Sequence, residues 1–194
     1  MWTKIKNFFI KVGCSIAMHW WCWWSGVRYH KCIRHNIGIQ ECDKIVTLRS
    51  AEVLVKKLYS SFEYTKDGLT ELYDAICPPP QNYQYYLEGK VRDDCDGFHS
   101  LSYHCFYNSD LECYLLSVVA NKSHCVLLFK FENKWYINDY TNILCESDSA
   151  EETIALYNDY FSIHYKASSV VYNATIKYDY DKKKFYVKKI KDIK

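Results

Sequence analysis

Three residues in this sequence have side chains that complement one another chemically: Cys95, His124 and Asp139. His124 follows Cys95 by 29 residues, and Asp139 follows His124 by 15. A cysteine attacks a carbonyl carbon as its thiolate, which a neighbouring imidazolium stabilises, and a carboxylate can hold that imidazole in the correct tautomer. The three residues are therefore predicted to be a thiol nucleophile, its general base and the group that orients the base.

The pattern after Cys95 predicts that a helix begins there. Apolar residues recur at helical spacing, and an aspartate just before the thiol can accept hydrogen bonds from the N–H groups of the first turn. The apolar positions are Phe98, Leu101, Cys105 and Phe106, and the two candidate caps are Asp93 and Asp94. Cys95 is therefore expected at the positive end of a helix, where a thiolate is favoured.

Other residues near Cys95 affect its thiol and the space around it. The carboxylates of Asp93, Asp94 and Asp96 raise a thiol pKa, in opposition to the helix terminus. Gly97 is expected to leave room beside the sulfur for a substrate, and the backbone amide of Cys95 is placed to donate a hydrogen bond to an oxyanion. The alternative is that Cys95 is a buried thiol that packs as a small apolar side chain.

His124 and Asp139 are predicted to lie on one β-hairpin. The segments 123–131 and 134–140 are rich in strand-forming residues, and Glu132-Asn133 separates them as a two-residue turn. If Phe131 pairs with Lys134, His124 and Asp139 are diagonal neighbours on one face, about 7–8 Å apart at the backbone. A one-residue bulge would break this register, and the alternative is a histidine and an aspartate that do not meet.

These residues carry a family resemblance. The segments Asp94-Cys95-Asp96-Gly97-Phe98, Ser123-His124-Cys125-Val126-Leu127 and Trp135-Tyr136-Ile137-Asn138-Asp139 resemble the core of the transglutaminase-like cysteine peptidases, most of all their small bacterial and phage branch. The resemblance covers residues 85–145. Asp93 stands where that branch usually has glycine, Gly97 where it often has a second aspartate, and Cys125 where it has a small residue. Some members of the superfamily have lost catalysis.

The resemblance implies a papain-like reaction on an amide or thioester carbonyl of a protein or peptide. Cys95 would attack, His124 would shuttle the proton and Asp139 would orient His124. Water or an amine would then resolve the acyl-enzyme. A second oxyanion donor is expected upstream, and Gln84 is preferred there over Gln81 and the tyrosines at 83, 85 and 86. The alternative is that this stretch, which follows three prolines, is an exposed aromatic loop.

The order of predicted elements indicates an α+β fold in which helices pack on one antiparallel sheet. Helices are expected from Ser50 to Tyr59, from Leu69 to Ile76 and again after Ser147. Strands are expected at 113–120, 125–131 and 135–139, followed by two more at about 162–176 and 178–190. The division predicted is an N-terminal Trp- and Cys-rich basic segment at 1–45 and a transglutaminase-like domain at 46–194.

The N-terminal segment is basic and aromatic. Residues 1–35 contain six Lys or Arg and no acidic residue, and five of the six tryptophans lie at or before Trp24. Fewer than 18 uninterrupted apolar residues occur, so no spanning helix is predicted. The first expectation is a helix packed on the domain or on a second copy of the chain, and the second is contact with a membrane surface.

The ten cysteines contain no C-x-x-C pair. The one local set with metal-ligand chemistry is His30, Cys32 and His35 with Cys42 nearby, and packed or solvated side chains are the preferred interpretation, so no metal and no cofactor is predicted. Scattered free thiols suit a reduced cytoplasm, that of a host cell included, whereas the opposing possibility is a secreted protein with five disulfides. The Lys-rich C-terminus is predicted to be a hairpin with lysines on an edge strand, which makes nucleic-acid binding the less favoured interpretation.

Two classes of function follow. The first is an enzyme, a cysteine peptidase, amidase or acyl transferase that uses Cys95, His124 and Asp139. The second is a catalytically silent relative that acts as a protein-binding inhibitor or adaptor, for instance one encoded by a virus. Reactivity of Cys95 that depends on His124 separates the two.

Overall fold

The computed structural model describes residues 2–29, 41–65 and 75–193, with side chains from Phe8 onward. The helices are α1 (Trp2–Arg28), α2 (Leu48–Ser60), α3 (Pro79–Leu87), α4 (Cys95–Asn108) and α5 (Ala150–His164). The strands are β1 (Glu63–Tyr64), β2 (Arg92–Asp93), β3 (Cys113–Val119), β4 (Ser123–Phe131), β5 (Lys134–Asp139), β6 (Asn142–Ser147), β7 (Tyr172–Asp179) and β8 (Lys184–Lys188), and a short 3-10 helix spans Ile190–Asp192.

Six strands form one antiparallel sheet in the order β6-β5-β4-β3-β7-β8, while β1 and β2 form a small parallel pair. Both faces of the large sheet are covered. Leu127 and Phe129 of β4 pack in the cluster that contains α2 and α4 residues, whereas Val126 and Leu128 pack in the cluster that contains α5 residues. This arrangement explains why β4 is almost uniformly apolar, and it confirms the predicted α+β class.

The β4–β5 hairpin has the predicted register. Phe131 pairs with Lys134, and the pairing continues without a bulge to Leu127 and Asn138. Glu132 and Asn133 have φ values of 48° and 65°, so both turn residues are left-handed, as a type I′ turn requires. Because this turn matches the twist of the strands, it fixes which residues face each other. His124 and Asp139 therefore lie at the same end of the sheet.

Two helical predictions need correction. The helix predicted to begin at Ser50 begins at Leu48, because Thr47 is the N-cap and Ser50 is its reciprocal partner in the capping box. The segment after the three prolines, for which an exposed aromatic loop was the alternative, forms helix α3. Pro79 lies in its first turn, where a missing N–H costs nothing, and Gln81 and Tyr83 are buried.

The observed bounds of the helices and strands differ most from the predicted bounds in the C-terminal part of the chain. Helix α5 continues to His164, so the strand predicted from about 162 begins only at Tyr172, and β6 was not predicted. The terminal hairpin is confirmed, with β8 as an edge strand that carries Lys184 and Lys188. Of the helix predicted at 69–76, residues 69–74 lie outside the described residues, and Ala75 and Ile76 are not helical.

Helix α1 packs on the body of the protein. It contacts β7 and β8, and Cys22 belongs to the same core cluster as α4. The buried hydroxyl of Ser25 accepts a hydrogen bond from the backbone N–H of Ile76 at 2.9 Å, which fixes the C-terminal half of α1. None of the described helices combines the length and apolar character that a bilayer crossing needs. The nine cysteines among the described residues are all free thiols.

Candidate active site

The thiol of Cys95 lies at the first position of α4, as predicted. Asp94 is the N-cap, and its carboxylate accepts a hydrogen bond from the backbone N–H of Asp96 at 3.1 Å. The Cys95 side chain is partly exposed, and its sulfur accepts a hydrogen bond from the backbone N–H of Cys125 at 3.4 Å. A helix terminus and an N–H aimed at the sulfur both favour the thiolate over the thiol.

Gly97 has a different role from the one predicted. A Cβ built on Gly97 would lie 2.2 Å from the Cβ and carboxylate of Asp93, so the space next to the glycine is already occupied by that side chain. The carbonyl of Gly97 also accepts a hydrogen bond from the buried Asn82 of α3 at 2.6 Å. Gly97 therefore permits close packing of α4 against β2 and α3, and it does not open space for a substrate.

His124 and Asp139 contact each other directly. Nε2 of His124 lies 3.0 Å from Oδ1 of Asp139, and both side chains are almost fully buried. Because an ionised carboxylate only accepts hydrogen bonds, Nε2 must carry the proton in this pair. The neutral imidazole then has its lone pair on Nδ1, which is the tautomer that a general base needs.

Two tyrosines of the α5 region complete the surroundings of Asp139. The hydroxyl groups of Tyr157 and Tyr165 each donate to Oδ2 at 2.8 Å. Burial by itself would raise the pKa of Asp139, but the hydrogen bonds from His124 and Tyr165 outweigh it and hold the pKa below its ordinary value. Asp139 is therefore an ionised carboxylate held by three donors.

Cys95 and His124 open into one cavity of about 330 Å³. The cavity is lined by residues of the α4 start, β3, β4 and, unexpectedly, α1: Ala17, Met18, Trp20, Trp21, Asp94, Cys95, Asp96, Ser117, Ser123, His124 and Cys125. The thiol and the imidazole thus share an accessible space beside apolar side chains of α1. Neither the periodicity of α1 nor its composition indicated that it would reach this site.

His99 links the elements that carry the three residues. Its Nδ1 lies 2.6 Å from the carbonyl oxygen of Cys95, and its Nε2 lies 3.0 Å from the backbone N–H of Tyr140. Since a carbonyl only accepts and an N–H only donates, His99 must be neutral with its proton on Nδ1. Burial lowers the pKa of His99 to about 4, although the negative charge of Asp139 opposes the shift, and this agrees with the assignment.

Replacing His99 by phenylalanine is expected to destabilise the protein by about 1–3 kcal/mol, because the volume is kept but the N–H of Tyr140 loses its acceptor. The pKa of His99 falls from 6.5 to about 4 on folding, so its neutral form stabilises the fold above pH 6.5, and this contribution is lost as pH falls toward 4. Urea unfolding at pH 7.5 and pH 5 should show a smaller pH effect in H99F than in the wild type. An equal pH effect in both would contradict the assignment, and H164F, at an exposed histidine of α5, is the control.

Gln84 does not line the cavity that contains Cys95. Its Nε2 donates to Glu88 at 2.8 Å on the exposed side of α3. The side chain faces this way because an i, i+4 partner is available on its own helix. The backbone N–H of Cys95 lies in the first turn of α4.

The one local set with metal-ligand chemistry is only partly described. His30, Cys32 and His35 lie outside the described residues, while Cys42 accepts a hydrogen bond from Asn108 at 3.5 Å. Oxygens of Asp93, Asp94 and Asp96 lie within 4.8 Å of one another. Two of these carboxylates accept backbone N–H groups at the start of α4, so helix capping accounts for their proximity.

No protein-family model matches the chain, and no curated protein matches it. Among solved structures, that of a candidate cysteine protease from Cytophaga hutchinsonii matches 87% of this chain with a TM-score of 0.39 and 14% sequence identity. The chain spans 60% of the length of that protein. The function is therefore inferred from the geometry of the site itself.

Proposed function

We propose that this protein carries out thiol-dependent acyl chemistry on an amide or isopeptide bond, as a cysteine peptidase, amidase or acyl transferase. The observation that carries this proposal is the hydrogen bond from Nε2 of His124 to the buried Asp139, made beside a cavity that the sulfur of Cys95 also lines. This bond leaves Nδ1 of His124 as the atom that accepts a proton. Cys95 is the nucleophile, His124 the general base and Asp139 the orienting group.

The reaction follows from these roles. The thiol proton moves to Nδ1 of His124, and the sulfur bonds to the carbonyl carbon of the substrate. The negative charge on the carbonyl oxygen is stabilised by the backbone N–H of Cys95. His124 then gives its proton to the leaving amine, the carbon–nitrogen bond breaks, and an acyl-enzyme remains. Water or a second amine attacks this thioester and releases Cys95.

A protein or peptide is the substrate class that fits the cavity best. The cavity is open to solvent at the thiol and is lined on one side by Met18 and Trp21, which offer an apolar surface for a side chain near the scissile bond.

Site-resolved alkylation tests the proposal. The full chain is treated with iodoacetamide at pH 7, and each cysteine is quantified by peptide mass mapping. Cys95 is expected to react faster than Cys14 and Cys145, which are also partly exposed, because of the three only Cys95 lies at a helix N-terminus and shares a cavity with His124. Reaction of Cys95 no faster than these two would favour the silent, protein-binding alternative.

A second experiment distinguishes hydrolysis from acyl transfer. Wild-type protein and the C95S variant are incubated with a cell lysate, and new protein termini and new isopeptide links are sought. Products present with the wild type and missing with C95S support hydrolysis or transfer respectively. Identical products from both proteins would refute thiol catalysis.

A further inference from the structure

Helix α1 presents a continuous apolar stripe to solvent. The stripe consists of Phe9, Val12, Ile16, Trp20, Trp23 and Val27, which recur every three or four residues and so lie on one face of the helix. Ile16 is 66% exposed, Trp20 57% and Trp23 56%. Over about 27 Å this face carries no charged side chain among the described residues, which is unusual for a surface that only meets water.

The opposite face of the same helix is already occupied. Cys22 and Ser25 are buried against the body of the protein, and Met18 and Trp21 line the cavity that contains Cys95. The stripe is therefore not the surface that holds α1 in place. It is a second, largely exposed apolar face, and at Trp20 it reaches the cavity that contains Cys95.

The positive charge of the N-terminal segment favours a membrane over a second copy of the chain as the surface that covers the stripe. Residues 1–35 contain six Lys or Arg and no Asp or Glu, whereas the whole chain has a net charge of only +2, so the remainder is net negative. Two copies paired through α1 would bring two strongly basic segments together, which is unfavourable. Anionic lipid headgroups complement the same charge, and tryptophan is favoured where hydrocarbon meets water.

We propose that α1 docks the protein on an anionic membrane surface through the stripe, with the helix parallel to the bilayer. The indole rings of Trp20 and Trp23 enter the headgroup region, and the net positive charge of residues 1–35 attracts the anionic lipid phosphates. Because the inner face of α1 lines the cavity, docking places Cys95 and His124 close to the bilayer. The substrates reached from this position are membrane-bound or membrane-adjacent proteins.

Vesicle sedimentation tests the docking. The full chain is mixed with vesicles of phosphatidylcholine alone and with vesicles that also contain phosphatidylglycerol. Binding is expected for the anionic vesicles only and should weaken by about tenfold or more in the double variant I16S/W23S, since each change removes a large apolar side chain from the contact. The double variant L156S/I163S changes two exposed apolar residues of α5 and is expected to bind as the wild type does.

Each other outcome counts against the proposal. No binding to anionic vesicles overturns it, and so does equal weakening in the two double variants. A dimer in solution that I16S/W23S dissociates, without vesicle binding, would assign the stripe to a second copy. Circular dichroism verifies that both variants remain folded. C95S should bind vesicles as the wild type does, so membrane docking is tested independently of the thiol chemistry.

Discussion

The H124A variant is expected to alkylate at Cys95 up to about 30-fold more slowly than the wild type at pH 7, because the thiolate is the form that alkylates and a free cysteine of pKa about 8.5 is only a few per cent thiolate at this pH. The helix terminus and the N–H of Cys125 still surround the sulfur in this variant, but neither of them accepts its proton. Turnover of any substrate found with the wild-type protein should fall further, by about 10²–10⁴-fold, because general-base catalysis of that size is lost with the imidazole. Peptide mass mapping of the alkylated chain measures the first effect.

The chain provides its own internal reference for this experiment. Hydrogen bonding from Cys105 lowers the pKa of Cys42, so Cys42 is also expected to react faster than an ordinary thiol. Cys42 contacts Asn108 at the far end of α4, away from His124. The rate at Cys42 should therefore be the same in H124A and in the wild type. Slowing at both cysteines would indicate a general disturbance of the fold, and no slowing at Cys95 would exclude His124 as its base.

The D139N variant is expected to lose about 10⁴-fold in activity, the size of effect found when the aspartate of a serine–histidine–aspartate triad becomes asparagine. Asp139 accepts from His124, Tyr157 and Tyr165, but asparagine has one accepting oxygen. If the amide NH₂ faces His124, Nε2 must accept and the proton moves to Nδ1, the atom that has to receive the proton of the thiol. Alkylation of Cys95 and product formation from a lysate substrate both measure the loss.

The same substitution changes how stability depends on pH. The pKa of Asp139 is lower in the folded protein than the ordinary 3.8, so ionised Asp139 stabilises the fold above pH 3.8, and this contribution disappears as pH falls through the folded-state pKa. Urea unfolding from pH 6 to pH 3 should therefore show a weaker acid sensitivity in D139N. D148N removes an exposed carboxylate that pairs with Lys134 and should behave like the wild type. An acid sensitivity in D139N equal to that of the wild type would contradict an ionised, hydrogen-bonded Asp139.

Local sequence determined the parts of this site that depend on neighbours along the chain. The two-residue turn at Glu132-Asn133 and the strand-forming residues on either side are enough to set the register that faces His124 toward Asp139. The aspartate before Cys95 and the helical spacing after it likewise place the thiol at the start of α4. In both cases the distance in sequence is short, so turn and capping preferences alone predict the geometry.

Tertiary structure decided everything that comes from a distant segment. Tyr157 and Tyr165 reach Asp139 from 18 and 26 residues away, and α1 lines the cavity from the opposite end of the chain. The sequence predicts that Gly97 leaves room for a substrate, but the side chain of Asp93 occupies that space. Hydrophobic periodicity states which face of an element is buried, but not which element buries it. Which helix covers which face of the sheet is decided only when the whole chain packs.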